Sequence, residues 1–486
     1  MKKILSATAL AIAALMLSTP IGIGANSSDF NYTVNPHFIQ LGPDTTLPNG
    51  IPLCKSSGLG NIVCYSPKFI RKAYEVPSSL DGSGQTIVIV DAFGSPTIAA
   101  DLALFDAVFG LPAPASFTIF CGNSPTPFDT STCPTVNINN SNPHGEFGWT
   151  IETSLDVEYA HAIAPGANIV LDVAATNSGN AINNAETAAI AAFPNAVFSQ
   201  SFGIPEIFIH NNNGQINQAM ANYVNGVANG DTFFASAGDT GADFGFGVQM
   251  GNFPSSDVHN VGVTGTQGLP YNATGTLMPC FTTTPFSCTS GLASYHANPS
   301  ASGPCLLGRT VKPDGCIADG YGGEQVWNEP QFDAATGGAQ SLVVATPSYQ
   351  SGLGLSSRGP DVAYNAAIDG GVLVVYGGFG FPVLFIVGGT SAGSPQWAGI
   401  AALANQKRAS MGKGTLGDLN PKLYTFLPGH SNSAFYADVF HDIQVGNDQL
   451  VGSPVGYAAG MGYDVASGIG SPRVSNLVND LATLFA

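Results

Sequence analysis

Short apolar runs alternate with longer amphipathic stretches through most of the chain. The run "QTIVIV" ends at Asp91 and is followed by "IAADLALFDAVFG", whose apolar positions recur at helical spacing. A longer helix, "WTIETSLDVEYAHAIA", leads into the strand "ANIVLDVAA". The helix "AINNAETAAIAAF" leads into "AVFSQSFG", and "QINQAMANYVNGVANG" into "DTFFASAG" and then "HNVGVTG". Strand and helix recur about every 25–30 residues, the pattern of an α/β protein with a doubly wound, mostly parallel sheet flanked by helices. Ligands of such sheets sit at the carboxyl ends of the strands, where Asp91, Gly203 and Asp239 fall. A hairpin is expected around "GGVLVVYGGFGFPVLFIVGGTS", with a further helix beginning near Ser391.

Three segments break this rhythm. Residues 1–25 carry Lys2 and Lys3, then an apolar stretch and small residues at Gly22, Gly24 and Ala25, which reads as a secretory signal peptide. The mature chain is therefore expected to be secreted and extracellular. No later run is long and apolar enough for a membrane span once the signal is cleaved. Residues 26–61 are polar and rich in Pro and Gly, and read as an N-terminal arm before a domain spanning 62–486. Within that domain, 267–325 reads as a Cys-rich insertion.

Composition narrows the function. Charged residues make up 9% of the chain, with 14 Lys+Arg against 32 Asp+Glu and a net charge of −18. Phosphate binding needs clustered basic residues, so nucleic acid is excluded as a partner. In acid the carboxylates are neutral, and so few cations repel one another weakly, which suits an acid-exposed protein. The 8 cysteines fit an oxidising compartment, and no C-x-x-C spacing points to zinc or redox chemistry. Cys54–Cys64 and Cys121–Cys133 are the expected disulfides, while the pairing of Cys280, Cys288, Cys305 and Cys316 stays open. Sequons stand at Asn26, Asn31, Asn139 and Asn272.

Candidate chemistry begins with "IVGGTSAGSPQWAGIAALANQ". Ser391 follows a strand and a glycine turn and precedes a helix, the arrangement by which several hydrolases expose a nucleophile. A plain helix N-cap is the other reading. No histidine has the context of a subtilisin-type base. Glu152 and Asp156 instead sit at i, i+4, so both carboxylates share one helix face. Crowded carboxylates cannot both ionise cheaply, so one is pushed up and can act as base and acid in acidic solution. A solvated helix face would explain the same pair. Asp239 ends the run "DTFFASAGDTG". Protonated, it could donate to an oxyanion; otherwise it is an ordinary Asx-turn.

In this order, Glu-x-x-x-Asp, Ser-Ala-Gly-Asp-x-Gly and Gly-Gly-Thr-Ser-Ala-x-x-Pro resemble the sedolisin family of serine-carboxyl peptidases, whose fold is subtilisin-like. "YSPKFIRKAY", "SQSFGIPE", "EQVWNE" and "RGPDVAYNA" extend the resemblance over residues 62–486. The resemblance implies Ser391 as nucleophile, Glu152 as general base, Asp156 as its orienting carboxylate and Asp239 as the protonated oxyanion-hole acid. It implies that Ser201, Phe202 and Gly203 form the wall for the substrate backbone. It also implies a C-terminal calcium-binding loop, with carboxylates from Asp442 and Asp464 and carbonyls from Ile443, Gly460 and Gly462; glycine turns with incidental Asp are the plainer reading. Calcium suits such an all-oxygen set. Peptides or proteins are the expected partners, and a monomer is expected. An inactive extracellular binding protein on the same scaffold is the alternative. Three departures stand out: Asp91 where relatives can carry Glu, Phe202 where Trp is common, and residues 26–61, shorter than the family's usual folded propeptide.

Overall fold

The computed structural model describes residues 29–42, 53–56, 60–121, 133, 145–209, 213–268, 304–305, 309–312, 315–316, 321 and 323–486. The signal segment, Cys280, Cys288 and the sequons at Asn26, Asn139 and Asn272 lie outside the described residues, as does most of 267–325.

The expected alternation folds as an eight-stranded sheet. Strands β1 (Thr86–Ala92), β2 (Ser116–Phe120), β3 (Asn168–Ala174), β4 (Val197–Gln200), β5 (Thr232–Ser236) and β6 (Asn260–Gly268) lie in the order β6-β5-β4-β1-β3-β2, all parallel. Val362–Asn365 joins the edge beside β6 in parallel, and Glu324–Val326 pairs there antiparallel. Their near-continuous Val, Ile and Phe content follows from burial on both faces, as parallel strands require.

Helices cover both faces. Helix α1 (Ile98–Phe109) ends at Gly110 in the left-handed conformation. Helix α2 (Glu146–Ile163) packs against α1, β1 and a long later helix, α5 (Gly393–Ser410). Helices α3 (Gly179–Ala192) and α4 (Asn213–Ala228) pack on each other and on the opposite face of the sheet. The expected hairpin is Gly371–Tyr376 paired with Val383–Gly388, and it lies inside a second, five-stranded sheet. His37–Gln40 adds to it antiparallel, with His37 opposite Gly388. The Cys54–Cys64 and Cys121–Cys133 disulfides are both formed.

Helix α2 departs from an amphipathic helix. Every residue from Phe147 to Ile163 is buried, including Glu152, Asp156, Glu158 and His161. Elements packed on all sides leave it no solvent face, so its carboxylates lie in the protein interior rather than on a solvated surface.

Candidate active site

Ser391 stands at the junction between the hairpin and α5. It lies in one 3₁₀ turn, Thr390–Ala392, and makes no capping bond; the helix N-cap position belongs to Ala392. The Ser391 hydroxyl is thus free of the helix and donates to the Ser201 carbonyl at 3.4 Å. Ser201 continues from the end of β4, and its own hydroxyl donates to Asp156 Oδ1 at 2.8 Å. One residue therefore touches both the candidate nucleophile and the candidate base network.

Glu152 is fully buried beside this pair. No hydrogen bond of good geometry reaches either of its oxygens, yet the Ser391 hydroxyl lies near enough to favour its charged form. Burial pushes Glu152 well above the usual carboxylate range, and the charges of Asp91 and Asp239 push in the same direction. Asp156 is raised for the same reasons: burial first, then Asp91 and Glu152, with the Ser201 hydroxyl opposing. Asp91, at the end of β1, is also buried and raised. These carboxyls behave as one coupled set in which few can be charged at once.

Asp239 closes the site from the far side. Oδ1 accepts both the Thr390 backbone N–H and the Thr390 hydroxyl, each at 2.8 Å. The Thr390 hydroxyl oxygen in turn accepts the Gly238 N–H at 3.0 Å. Burial raises Asp239, while the nearby His37 charge and the Thr390 donors work against that rise. Gly389 makes the approach possible: its φ is 111°, and an added Cβ would stand 2.6 Å from Asp239 Oδ2.

A cavity of about 260 Å³ opens on these groups. Ser391, Thr390, Asp239, Ser201, Phe202 and Gly203 all line it, so the four candidate catalytic residues and the candidate substrate wall converge on one place. Gly203 is tight against Asn252, whose side chain an added Cβ would overlap. His161 pairs with Asp106 and His259 with Asp418, each at 3.0 Å, and neither histidine lines the cavity.

Two contributors are absent from the motif-based set. Thr390 holds Asp239 as described. Residues Thr33, Val34 and Asn35 of the N-terminal arm also line the cavity. The apolar-polar alternation of Phe30, Tyr32 and Val34 is the signal for an extended, half-buried segment there.

The candidate metal loop lies away from this cavity. Asp442 and Asp464 bracket one turn: Asp442 Oδ1 accepts Gly462 N–H at 2.9 Å and Asp464 Oδ2 accepts Gly460 N–H at 3.1 Å. Ile443 is buried alongside. Asp464 also accepts Ala466 N–H and Ser467 N–H, and burial pushes it up to about 6. Among the described residues no group of three or more His, Cys, Asp or Glu could hold a metal. Two carboxylates with neutral oxygens fit a hard cation such as calcium in donor chemistry, and do not fit zinc.

The fold is similar to that of a solved structure, Pseudomonas sedolisin (serine-carboxyl proteinase), at a TM-score of 0.62 and 21% identity, covering 88% of this chain and 100% of that one. Kumamolisin of Bacillus sp. (strain MN-32) is 29% identical across 84% of this chain and 62% of the relative. Xanthomonalisin of Xanthomonas sp. (strain T-22) is 27% identical across 97% of this chain and 52% of the relative. No family model matches the chain. The chain is thus similar in sequence to kumamolisin and xanthomonalisin and in fold to the sedolisin structure. It spans between half and two thirds of the length of those two relatives.

Proposed function

We propose that this chain is a secreted, acid-acting serine-carboxyl peptidase whose catalytic domain is residues 62–486, with peptides or proteins as substrates. The reading is carried by one observation: Ser391 opens onto a cavity beside the buried carboxyls Glu152, Asp156 and Asp239, with its hydroxyl on the Ser201 carbonyl. A binding protein would have no use for burying these groups around an uncapped serine, at a cost of several kcal/mol for each charge formed.

In the reaction, Glu152 takes the Ser391 proton as Oγ bonds to the scissile carbonyl carbon. Protonated Asp239 donates to the resulting oxyanion, held in place by Thr390. Collapse breaks the C–N bond, and the proton on Glu152 leaves with the amine. Water then repeats the sequence on the acyl-enzyme and frees Ser391. Asp156, tied to Ser201, sets how readily Glu152 gains and loses its proton. Asp239 must stay neutral while Glu152 can still accept a proton, so activity falls toward neutral pH. Ser201, Phe202 and Gly203 present the edge on which the substrate backbone lies.

Calcium is proposed at Asp442 and Asp464, with carbonyls of Ile443, Gly460 and Gly462. Bound there, it would supply charge compensation and loop rigidity and no part of the chemistry. Among the described residues no helix is long and apolar enough to cross a membrane. A pH–activity profile on a denatured protein, with cleavage sites mapped, tests the reading. Absence of cleavage between pH 2 and 7 would reject it.

A further inference from the structure

Six apolar side chains stand in solvent beside the catalytic cavity. They are Ile207 and Phe208, Phe246 and Val248, and Leu342 and Val343, each between 41% and 58% exposed. Single exposed apolar residues are ordinary, whereas a group of them marks a contact surface. Named bonds hold these three segments together. Phe208 and Phe246 meet edge to face, with ring centroids 5.3 Å apart. Ile204–Pro205 pairs antiparallel with Asn252–Phe253, which brings the first two segments side by side. Glu206 ties in the third: its carboxylate accepts the Ser341 hydroxyl at 2.6 Å and also the Leu342 N–H.

No exposed charge interrupts the segments. The charged residues within 204–208 and 240–250 are Glu206 and Asp243, both buried, and 340–346 contains none.

The middle segment is shaped to present its apolar side chains. Phe244 has φ 49°, left-handed backbone that is unfavourable for a residue with a side chain, and Gly245 and Gly247 follow at 76° and 74°. Asp243 fastens the turn. Its Oδ1 accepts Gly245 N–H at 3.1 Å, and its Oδ2 accepts Gly247 N–H at 3.0 Å and the Ser453 hydroxyl at 2.7 Å. Phe244 is thereby turned inward over Gly238, where an added Cβ would lie 2.6 Å from its ring. Phe246 and Val248 are turned outward. Core packing does not account for a strained turn that leaves two apolar side chains in water.

The patch is continuous with the cavity. Phe246 and Pro205 line the cavity together with Ser391 and Asp239, and Phe246 is also the ring that Phe208 touches. A polypeptide that enters the cavity to be cut therefore has a path for its next residues over Phe208 and the surface behind it.

We propose that this patch is a docking surface for unfolded polypeptide substrate, which binds apolar residues flanking the scissile bond outside the cavity itself. This rests on the peptidase reading above. Continuity with the cavity selects the occupant, since the chain that covers Phe246 is the one being cut. The missing charge agrees with it. In acid a substrate's carboxyls are protonated and its Lys, Arg and His carry positive charge, so a charge-free surface recognises only its apolar segments. Those segments are buried in a folded protein and exposed in an acid-unfolded one, so the surface favours unfolded substrates. Contacts made this far from the reacting atoms hold ground state and transition state equally. They lower KM and leave kcat unchanged.

The test compares the intact chain with the double variant Phe208→Ser, Leu342→Ser at acid pH. Both side chains are exposed and neither lines the cavity. Hydrolysis of a short polar peptide should therefore stay within twofold of the intact chain. On reduced, alkylated serum albumin the variant's KM should rise at least tenfold at unchanged kcat. Two longer peptides sharing one cleavage core, flanked by Leu and Phe or by Ser and Gly, isolate the effect. The intact chain should favour the apolar flanks at least tenfold in KM, and the variant should lose that preference. Ile207→Ser with Val343→Ser repeats the comparison if circular dichroism shows the first variant unfolded. An unchanged KM on the albumin, or an equal loss on the short peptide, overturns the docking surface and leaves the peptidase reading standing. No hydrolysis of any substrate by the intact chain overturns both. A dimer of the intact chain in sedimentation, abolished in the variant, would give the patch to a second copy and also overturn the proposal.

Discussion

Thr390 holds Asp239 by two donors on one oxygen, the backbone N–H and the hydroxyl, each at 2.8 Å. Both donors favour the ionised carboxylate, against the burial that favours the neutral acid. Thr390→Val removes one of them. The proton should then stay on Asp239 to higher pH, and the alkaline limb of the kcat/KM profile should move upward. The acid limb, set by Glu152, should stay in place. Activity at the optimum should drop on the order of tenfold, as one positioning bond is lost. An unmoved alkaline limb would show that Asp239 does not set it.

Gly389→Ala attacks the same acid from the other side. The backbone there has φ 111°, and the new methyl group would lie 2.6 Å from Asp239 Oδ2. Asp239 must shift, at a cost of roughly 10²–10³ in kcat, the loss expected for one misplaced oxyanion donor. Circular dichroism should show a folded protein. Full activity would mean that Asp239 is not needed where it stands.

Ser391→Ala and Glu152→Gln should each abolish hydrolysis at pH 3–5, by roughly 10³-fold or more, while leaving thermal unfolding in acid nearly unchanged. The glutamine keeps the size of Glu152 and loses only its ability to take a proton. Undiminished turnover in Glu152→Gln would remove it as the base.

Stability should be greatest in acid. Burial raises Asp91, Glu152, Asp156, Glu158, Asp172 and Glu186 well above the carboxylate range, Asp257 to about 6 and Glu329 to about 7. Raised pKa values mean that the folded chain binds more protons than the unfolded one above about pH 4, where free carboxyls ionise. Unfolding free energy therefore falls as pH rises from about 4 through 7. Denaturant midpoints measured across this range check the sign, and a higher midpoint at pH 7 than at pH 4 would contradict it.

Chelation addresses the C-terminal loop. If calcium joins Asp442 and Asp464, a chelator should lower Tm by about 5 °C or more, and calcium should restore it. Asp464→Asn should remove that response. A chelator-insensitive Tm in the unaltered protein would leave these residues as a hydrogen-bonded turn.

The sequence by itself determined the sheet, because parallel strands buried on both faces must be nearly all apolar and so stand out as runs. It also determined the pairing of Glu152 with Asp156, since helical spacing fixes which side chains share a face. Tertiary structure alone decided what surrounds them. Helix α2 carries carboxylates that could equally have met solvent, and only its packing against the sheet, the hairpin and the helices α1 and α5 buries them and raises their proton affinity. Thr390 and Asp239 lie 151 residues apart, and Thr33 and Gly203 lie 170 apart. Local patterning specifies each segment's conformation but not which distant backbone edge it meets. That choice is made when the sheet, the hairpin and the arm close on one another.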